Sequence, residues 1–110
     1  MQHIFNPIPS RLKIARANKG ISQKELGIRI GLDESSASSR MNHYEKGRHV
    51  PDLPTLKKLA DELEVPLAYF FFESETSAEL IGLIEKLNEE QKTALAEAIK
   101  KGLIPKGQDD

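Results

Sequence analysis

Helix start and stop signals follow one another closely between residues 20 and 47, and this spacing constrains the fold more than any other feature. Glycines suited to ending a helix occur at positions 20, 31 and 47. Between the first two, Ser22 and Glu25 have the spacing of a capping box, a pattern typical of a helix start. These signals predict short helices joined by tight turns, with one helix ending at Gly31 and the next occupying most of Asp33 to Lys46.

The same kind of punctuation continues along the rest of the chain, and strand signals are almost absent. The sequence therefore predicts an all-α fold, in which an irregular arm (residues 1–9) precedes the first helix. The further predicted helices run from about Pro9 or Ser10 to Lys19, from the N-cap Asp52 through a leucine-rich stripe, from Pro66 to about Phe72, from Ala78 to Leu87, and from the N-cap Asn88 to about Lys101. Glu73 to Ser77 is predicted as a polar break, and Ile104 to Asp110 as a frayed tail.

Charge is distributed unevenly, although the formal net charge is only −1. Residues 1–50 contain nine Lys or Arg and four acidic residues, whereas residues 51–110 contain seven and thirteen. A basic docking face on an acidic body produces such an asymmetry. The distribution favours a nucleic-acid partner for the first half of the chain.

The sequence lacks the residues that several kinds of catalytic and metal site require. The absence of cysteine excludes disulfides, thiolate metal sites and a cysteine nucleophile. The three histidines, at positions 3, 43 and 49, have no recognised metal-ligand spacing, and no phosphate-binding loop or catalytic Ser/His/Asp set is present. We therefore expect no catalytic residue, metal or cofactor, and, without an apolar segment of membrane-spanning length, a cytoplasmic protein.

Four motifs in order resemble the Cro/repressor family of helix-turn-helix regulators, also called the xenobiotic-response-element family. They are Arg11-Leu12-Lys13-x-Ala15-Arg16, Gly20-Ile21-Ser22-Gln23-x-Glu25-Leu26, Tyr44-Glu45-x-Gly47-x-x-x-Pro51 and Leu56-x-x-Leu59-Ala60. The resemblance covers roughly residues 10–72. It implies a five-helix, lambda-repressor-like DNA-binding domain whose third helix is the recognition helix, followed by a C-terminal helical extension over residues 73–110.

The third predicted helix has two different faces. Ala37, Met41 and Tyr44 share one face, suited to the core, whereas the other is small and polar. Asn pairs with adenine, and Ser and His bond several base edges. Aligned backwards from Tyr44-Glu45, the family's base-contacting positions fall on Ser38, Ser39, Asn42 and His43. Backbone or flank contacts are predicted for Gln23, Lys24, Arg40, Lys46, Arg48 and His49, and the resemblance implies a structural ion pair between Arg16 and Glu45.

The interval from Gly31 to Gly47 departs from the family pattern, being about four residues longer. Four residues rotate an α-helix by about 400°, so an extra turn capped by Asp33 would keep the helix faces nearly in register. A longer loop, with the helix starting near Ala37, is the alternative. The sequence leaves both possibilities open.

The leading functional hypothesis is a transcriptional regulator, a repressor rather than an activator, that binds a near-palindromic site in double-stranded DNA as a homodimer. The apolar stripe of Ala78 to Leu87 and the helix after it are the predicted dimer contact. An antitoxin that binds a partner protein through residues 74–110 while repressing its own operon is the alternative. A third hypothesis is an interaction adaptor that has kept the fold and lost operator reading.

Overall fold

The structure is a computed structural model that describes residues 6–102. Within that range the chain forms six α-helices and one 3₁₀ helix, as predicted for an all-α fold, and none of the helices is long and apolar enough to cross a membrane. The helices are α1 (Ile8–Lys19), α2 (Gln23–Arg29), α3 (Ala37–Glu45), α4 (Leu53–Leu63), the 3₁₀ helix (Leu67–Phe71), α5 (Glu75–Ile84) and α6 (Glu89–Lys100). Residues 1–5 of the predicted arm and the predicted tail from Ile104 lie outside the described residues, and α1 begins slightly earlier than predicted.

Capping side chains start three of these helices, α2, α4 and α6, where the sequence predicted. Asp52 Oδ1 accepts from the Thr55 N–H at 2.9 Å, and Asn88 and Gln91 form a complete capping box. Ser22 Oγ accepts from the Glu25 N–H at 3.0 Å, but the reciprocal half is missing because the Glu25 carboxylate instead accepts from Arg29. One satisfied N–H is enough to set the start of α2.

The hydrophobic core lies where α1 to α4 and the 3₁₀ helix converge. Its largest fully buried side chains are Phe70, Leu12, Leu26, Met41 and Leu59. The predicted inner face of α3 is confirmed, since Ala37, Met41 and Tyr44 are all buried. Burial of this face leaves the opposite side of α3 at the surface.

The structure decides between the two possibilities left open for the start of α3, since the helix begins at Ala37 after a loop. Residues 33–36 form a turn in which the Asp33 carbonyl accepts from the Ser36 N–H at 3.0 Å, and Ser36, not Asp33, precedes the helix. The Leu32 N–H donates to the Gly27 carbonyl at 2.9 Å, which keeps Leu32 at the end of α2 and against the core. The four extra residues therefore bridge from α2 to α3, and the serines among them have low helix propensity.

A glycine permits the close crossing of α2 and α3. A Cβ atom built on Gly27 would lie 2.8 Å from the Ala37 Cβ and 3.0 Å from the Ala37 carbonyl oxygen. Both distances are shorter than van der Waals contact, and one of the atoms belongs to the backbone, so a shift of the helix would be needed. Gly27 therefore lets α3 approach α2 closely, and this packing outweighs the low helix propensity of glycine.

Gly27→Ala is expected to lower the free energy of unfolding by about 1–3 kcal/mol, since overpacking forces the two helices apart. Gly82→Ala in α5 is the matched control, because nothing lies within 4 Å of its Cβ position. The free energy of unfolding of that control is expected to rise by up to about 1 kcal/mol from helix propensity alone. Urea unfolding of both variants checks the prediction, and a gain for Gly27→Ala equal to the control's would contradict it.

The C-terminal extension is attached to the domain at one end and is otherwise little covered. Ser74 Oγ accepts from the Ser77 N–H, so α5 begins at Glu75 and the predicted polar break is shorter than expected. Ala78 is the buried residue of α5, and α6 buries none. The Cα radius of gyration is 16.6 Å, against about 13 Å for a compact domain of about 100 residues. The extension thus projects from the core.

Candidate nucleic-acid interface

The outer side of α3 carries the side chains predicted to read bases. Ser38 and Ser39 are exposed, and Asn42 and His43 are half-buried. All four lie outside the buried face formed by Ala37, Met41, Tyr44 and Glu45. The major groove of B-DNA is about 12 Å wide and admits one helix, so an exposed helix with short polar side chains matches it in size and chemistry.

The loop after α3 folds back over the end of the helix. Gly47 has a φ of +76°, which reverses the chain, and the N–H groups of Arg48 and His49 then both donate to the His43 carbonyl. The His49 ring stacks on the His43 ring with centroids 5.1 Å apart. This packing brings the predicted flank residues Arg48 and His49 next to the predicted base-reading residue His43.

Basic side chains at this surface are available for phosphate. Among the described residues, Arg40, Lys46 and Arg48 are exposed and belong to none of the ion pairs. Lys24, at the start of α2, lies 3.5 Å from the Glu34 carboxylate, but exposed pairs of this kind contribute little and exchange easily. The predicted flank cations therefore lie around α3 with their charges largely uncompensated.

The predicted ion pair between α1 and α3 is present. Arg16 Nε donates to Glu45 Oε2 at 2.6 Å and Arg16 Nη2 donates to Glu45 Oε1 at 3.0 Å, a bidentate arrangement. The Glu45 side chain is only 3% exposed, and its carboxylate raises the pKa of Arg16. Arg16 Nη1 also donates to the Ile21 carbonyl at 2.9 Å. The pair thus fixes the C-terminal end of α3 to α1 and to the start of the turn before α2.

Gln23 has a role that sequence reasoning missed. Its Nε2 donates to Glu45 Oε1 at 3.1 Å and to Asn42 Oδ1 at 3.3 Å. The sequence placed Gln23 only at the start of α2, as a phosphate contact. Its bonds to α3 depend on how two helices cross, and no local signal reports that.

No group of three or more His, Cys, Asp or Glu side chains able to hold a metal ion is present in residues 6–102. The polar side chains on the outer side of α3 are instead hydroxyls, an amide and an imidazole. Such groups donate and accept hydrogen bonds, which suits base edges and phosphates.

Two helices joined by a turn, the second with a polar outer face flanked by cations, define a helix-turn-helix DNA-binding protein. The helix-turn-helix family model matches residues 12–70. The chain belongs to this family, in its Cro/repressor or xenobiotic-response-element branch. It is a DNA-binding transcriptional regulator and not an enzyme.

Individual relatives agree with this placement. The chain is similar to the cryptic phage CTXphi transcriptional repressor RstR of Vibrio cholerae, with 32% identity over 91 residues that cover 78% of each protein. It is also similar to the crystal structure of the transcriptional regulator BswR, with 45% identity and a TM-score of 0.79, covering 86% of this chain and 93% of that one. Both similarities extend beyond residues 12–70 and so include part of the C-terminal extension.

Proposed function

We propose that this chain is a homodimeric repressor that reads a near-palindromic operator by placing α3 in the major groove. The observation that carries the proposal is the outer side of α3, where exposed Ser38 and Ser39 adjoin half-buried Asn42 and His43. A solvated helix with no such task usually carries residues of high helix propensity, such as Glu, Lys and Gln, at these positions. These four side chains are therefore assigned to base readout.

The remaining predicted residues are assigned to the DNA backbone. Arg40, Lys46 and Arg48 surround α3 with free charges, and His49 is held beside His43. Gln23 and Lys24 occupy the first turn of α2, where backbone N–H groups favour a phosphate. Such contacts position a protein on DNA without specifying sequence.

The extension is proposed to bind the second copy because its apolar surface is little covered within residues 6–102. Leu80 and Leu83 of α5 are each 52% exposed and Ile99 of α6 is 49% exposed. A 12-residue helix that buries no residue is marginal alone, since isolated helices shorter than about 12–15 residues barely hold in water. A partner surface over α5 and α6 supplies the missing burial and gives the protein two recognition helices about 34 Å apart.

Repression is favoured over activation by the relative named as a transcriptional repressor. A protein that acts on DNA in this way lies in the cytoplasm, and it is associated with the nucleoid when it is bound to DNA. The antitoxin alternative uses the same apolar surface for a different protein. The two alternatives differ in one measurable respect, because purified full-length chain forms a stable dimer alone only if the surface binds itself.

Selection of bound fragments from a random duplex pool tests the proposal. Full-length protein is expected to enrich one sequence with two inverted half-sites about 10 base pairs apart, centre to centre. The logarithm of its association constant for that sequence should fall linearly with the logarithm of the salt concentration, with a slope of about −0.9 for each phosphate contacted. Enrichment of no sequence, or of a single unrepeated half-site, would count against operator reading by a dimer.

A further inference from the structure

A cavity of about 260 Å³ lies where α1, the 3₁₀ helix and the start of α5 meet. Among the side chains that line it, α1 and the 3₁₀ helix supply Arg11, Ile14 and Tyr69, and α5 supplies Glu75 and Glu79. None of its lining residues belongs to α2, to α3 or to the loop after α3. The cavity is therefore separate from the surface assigned to DNA.

Arg11 is buried beside this cavity without an acidic partner. It is only 6% exposed, and its Nε has no hydrogen-bond partner among residues 6–102. In the same part of the chain Arg11 belongs to none of the ion pairs, whereas Arg16, further along α1, is paired with Glu45. Buried charges in proteins are normally paired, because the loss of water is otherwise too costly. The burial of Arg11 therefore indicates an anionic partner that residues 6–102 do not supply.

Tyr69 adds an uncharged donor next to Arg11. It is 7% exposed, and burial raises the pKa of its hydroxyl, although the neighbouring Arg11 acts in the opposite direction. The hydroxyl therefore keeps its proton at neutral pH and donates hydrogen bonds. A carboxylate accepts hydrogen bonds from a hydroxyl as well as from a guanidinium, so these two side chains together suit a carboxylate.

The remaining charges of the cavity favour a partner that also carries a positive group. Glu75 and Glu79 are exposed at its α5 side, and neither belongs to an ion pair among the described residues. With Arg11 they give the lining a net charge of −1, which repels a simple carboxylate or phosphate. An ammonium group beside the two glutamates turns that repulsion into attraction.

We propose that this cavity binds a free α-amino acid, with its carboxylate at Arg11 and its ammonium group at Glu75 and Glu79. Both charges of such a molecule lie on one carbon atom, which suits a cavity smaller than the range of about 300–1,000 Å³ typical for drug-sized ligands. The paired N–H groups of a guanidinium match a carboxylate in shape. Half-buried Ile14 gives the ligand's side chain an apolar neighbour. The bound molecule holds α5, the first helix of the extension, against α1.

Thermal unfolding of the full-length protein with each standard L-amino acid tests the proposal. An amino acid that binds is expected to raise Tm by roughly 5–10 °C at about ten times its Kd, because it binds only the folded chain. Titration calorimetry then compares the best amino acid with the two molecules that lack either its amino group or its carboxyl group. Each of these is expected to bind at least about tenfold more weakly, since one charged contact is lost.

The variant Glu75→Gln/Glu79→Gln removes both carboxylates and keeps their shape. Both positions are exposed, so folding should persist. Its affinity for the amino acid is expected to fall at least about tenfold, whereas its affinity for the molecule without the amino group should not fall. Glu89→Gln/Glu90→Gln is the matched control, with the same change of charge in the first turn of α6. That control should bind the amino acid as the unchanged protein does.

Three results would overturn the proposal. No amino acid raises Tm, or the best amino acid and its counterpart without the amino group bind equally well, so that the glutamates take no part. The third is equal affinity in the two double variants, which would place the ligand elsewhere. None of these measurements uses DNA, so their failure leaves operator reading intact.

Discussion

Glu45→Ala is expected to lower the free energy of unfolding by about 3–5 kcal/mol, the usual effect of removing one partner from a buried ion pair. The Arg16 side chain is 17% exposed and the Glu45 side chain 3% exposed, so the guanidinium left behind has little water to replace the carboxylate. The substitution also removes an acceptor from Gln23. Urea unfolding at pH 7 and fixed protein concentration measures the loss.

Glu25→Ala is the control for this loss. It also removes a glutamate paired with an arginine, but there both side chains are more than 40% exposed and the atoms are 3.4 Å apart. Exposed pairs contribute at most about 1 kcal/mol. Equal losses in the two variants would mean that the Arg16–Glu45 pair does not hold α3 against α1.

Leu83→Glu is expected to convert the dimer to a monomer and to weaken operator binding by about 10²–10⁴-fold, the gain that two linked sites normally provide. A carboxylate at this half-exposed position of α5 has to be desolvated when a second copy covers the face. Within one chain the position tolerates charge, so folding should persist. Sedimentation equilibrium and operator titration measure the two effects.

Ala17→Glu supplies the same charge on the exposed side of α1, outside the proposed dimer contact. Added negative charge weakens DNA binding somewhat by itself, and this control measures that part. If both variants remain dimeric with equal operator affinity, α5 does not carry the dimer interface.

Local signals predicted most helix boundaries correctly because caps act within one turn. The Asn88–Gln91 capping box and the Asp52 cap are formed by residues three apart, and the stops at Gly20 and Gly47 need only the backbone freedom of glycine. The start of α3 stayed open between an extra turn and a loop, and the close approach of Gly27 to Ala37 is a tertiary contact that appears only in the folded chain. A tertiary contact of this kind leaves no periodic pattern in the sequence.

The candidate site likewise contains some features that the sequence predicted and others that it did not. Helical spacing alone placed Ser39 and Asn42 on the side of α3 away from the core, and the structure agrees. The family resemblance paired Arg16 with Glu45, and the structure forms that pair. The partners of Gln23 were out of reach, because they lie 19 and 22 residues away and meet it only after α2 and α3 have packed.

The proposed function depends most on base readout by the outer side of α3. The most direct measurement is the ratio of affinities for the selected operator and for random duplex, at one salt concentration, in the variant Ser38→Ala/Ser39→Ala/Asn42→Ala and in the control Asn18→Ala on α1. In the triple variant this ratio is expected to fall at least about 100-fold, because base contacts of about 1–3 kcal/mol each disappear. Its affinity for random duplex should be unchanged, because the phosphate contacts remain. The control should keep the ratio. An unchanged ratio in the triple variant would contradict the claim.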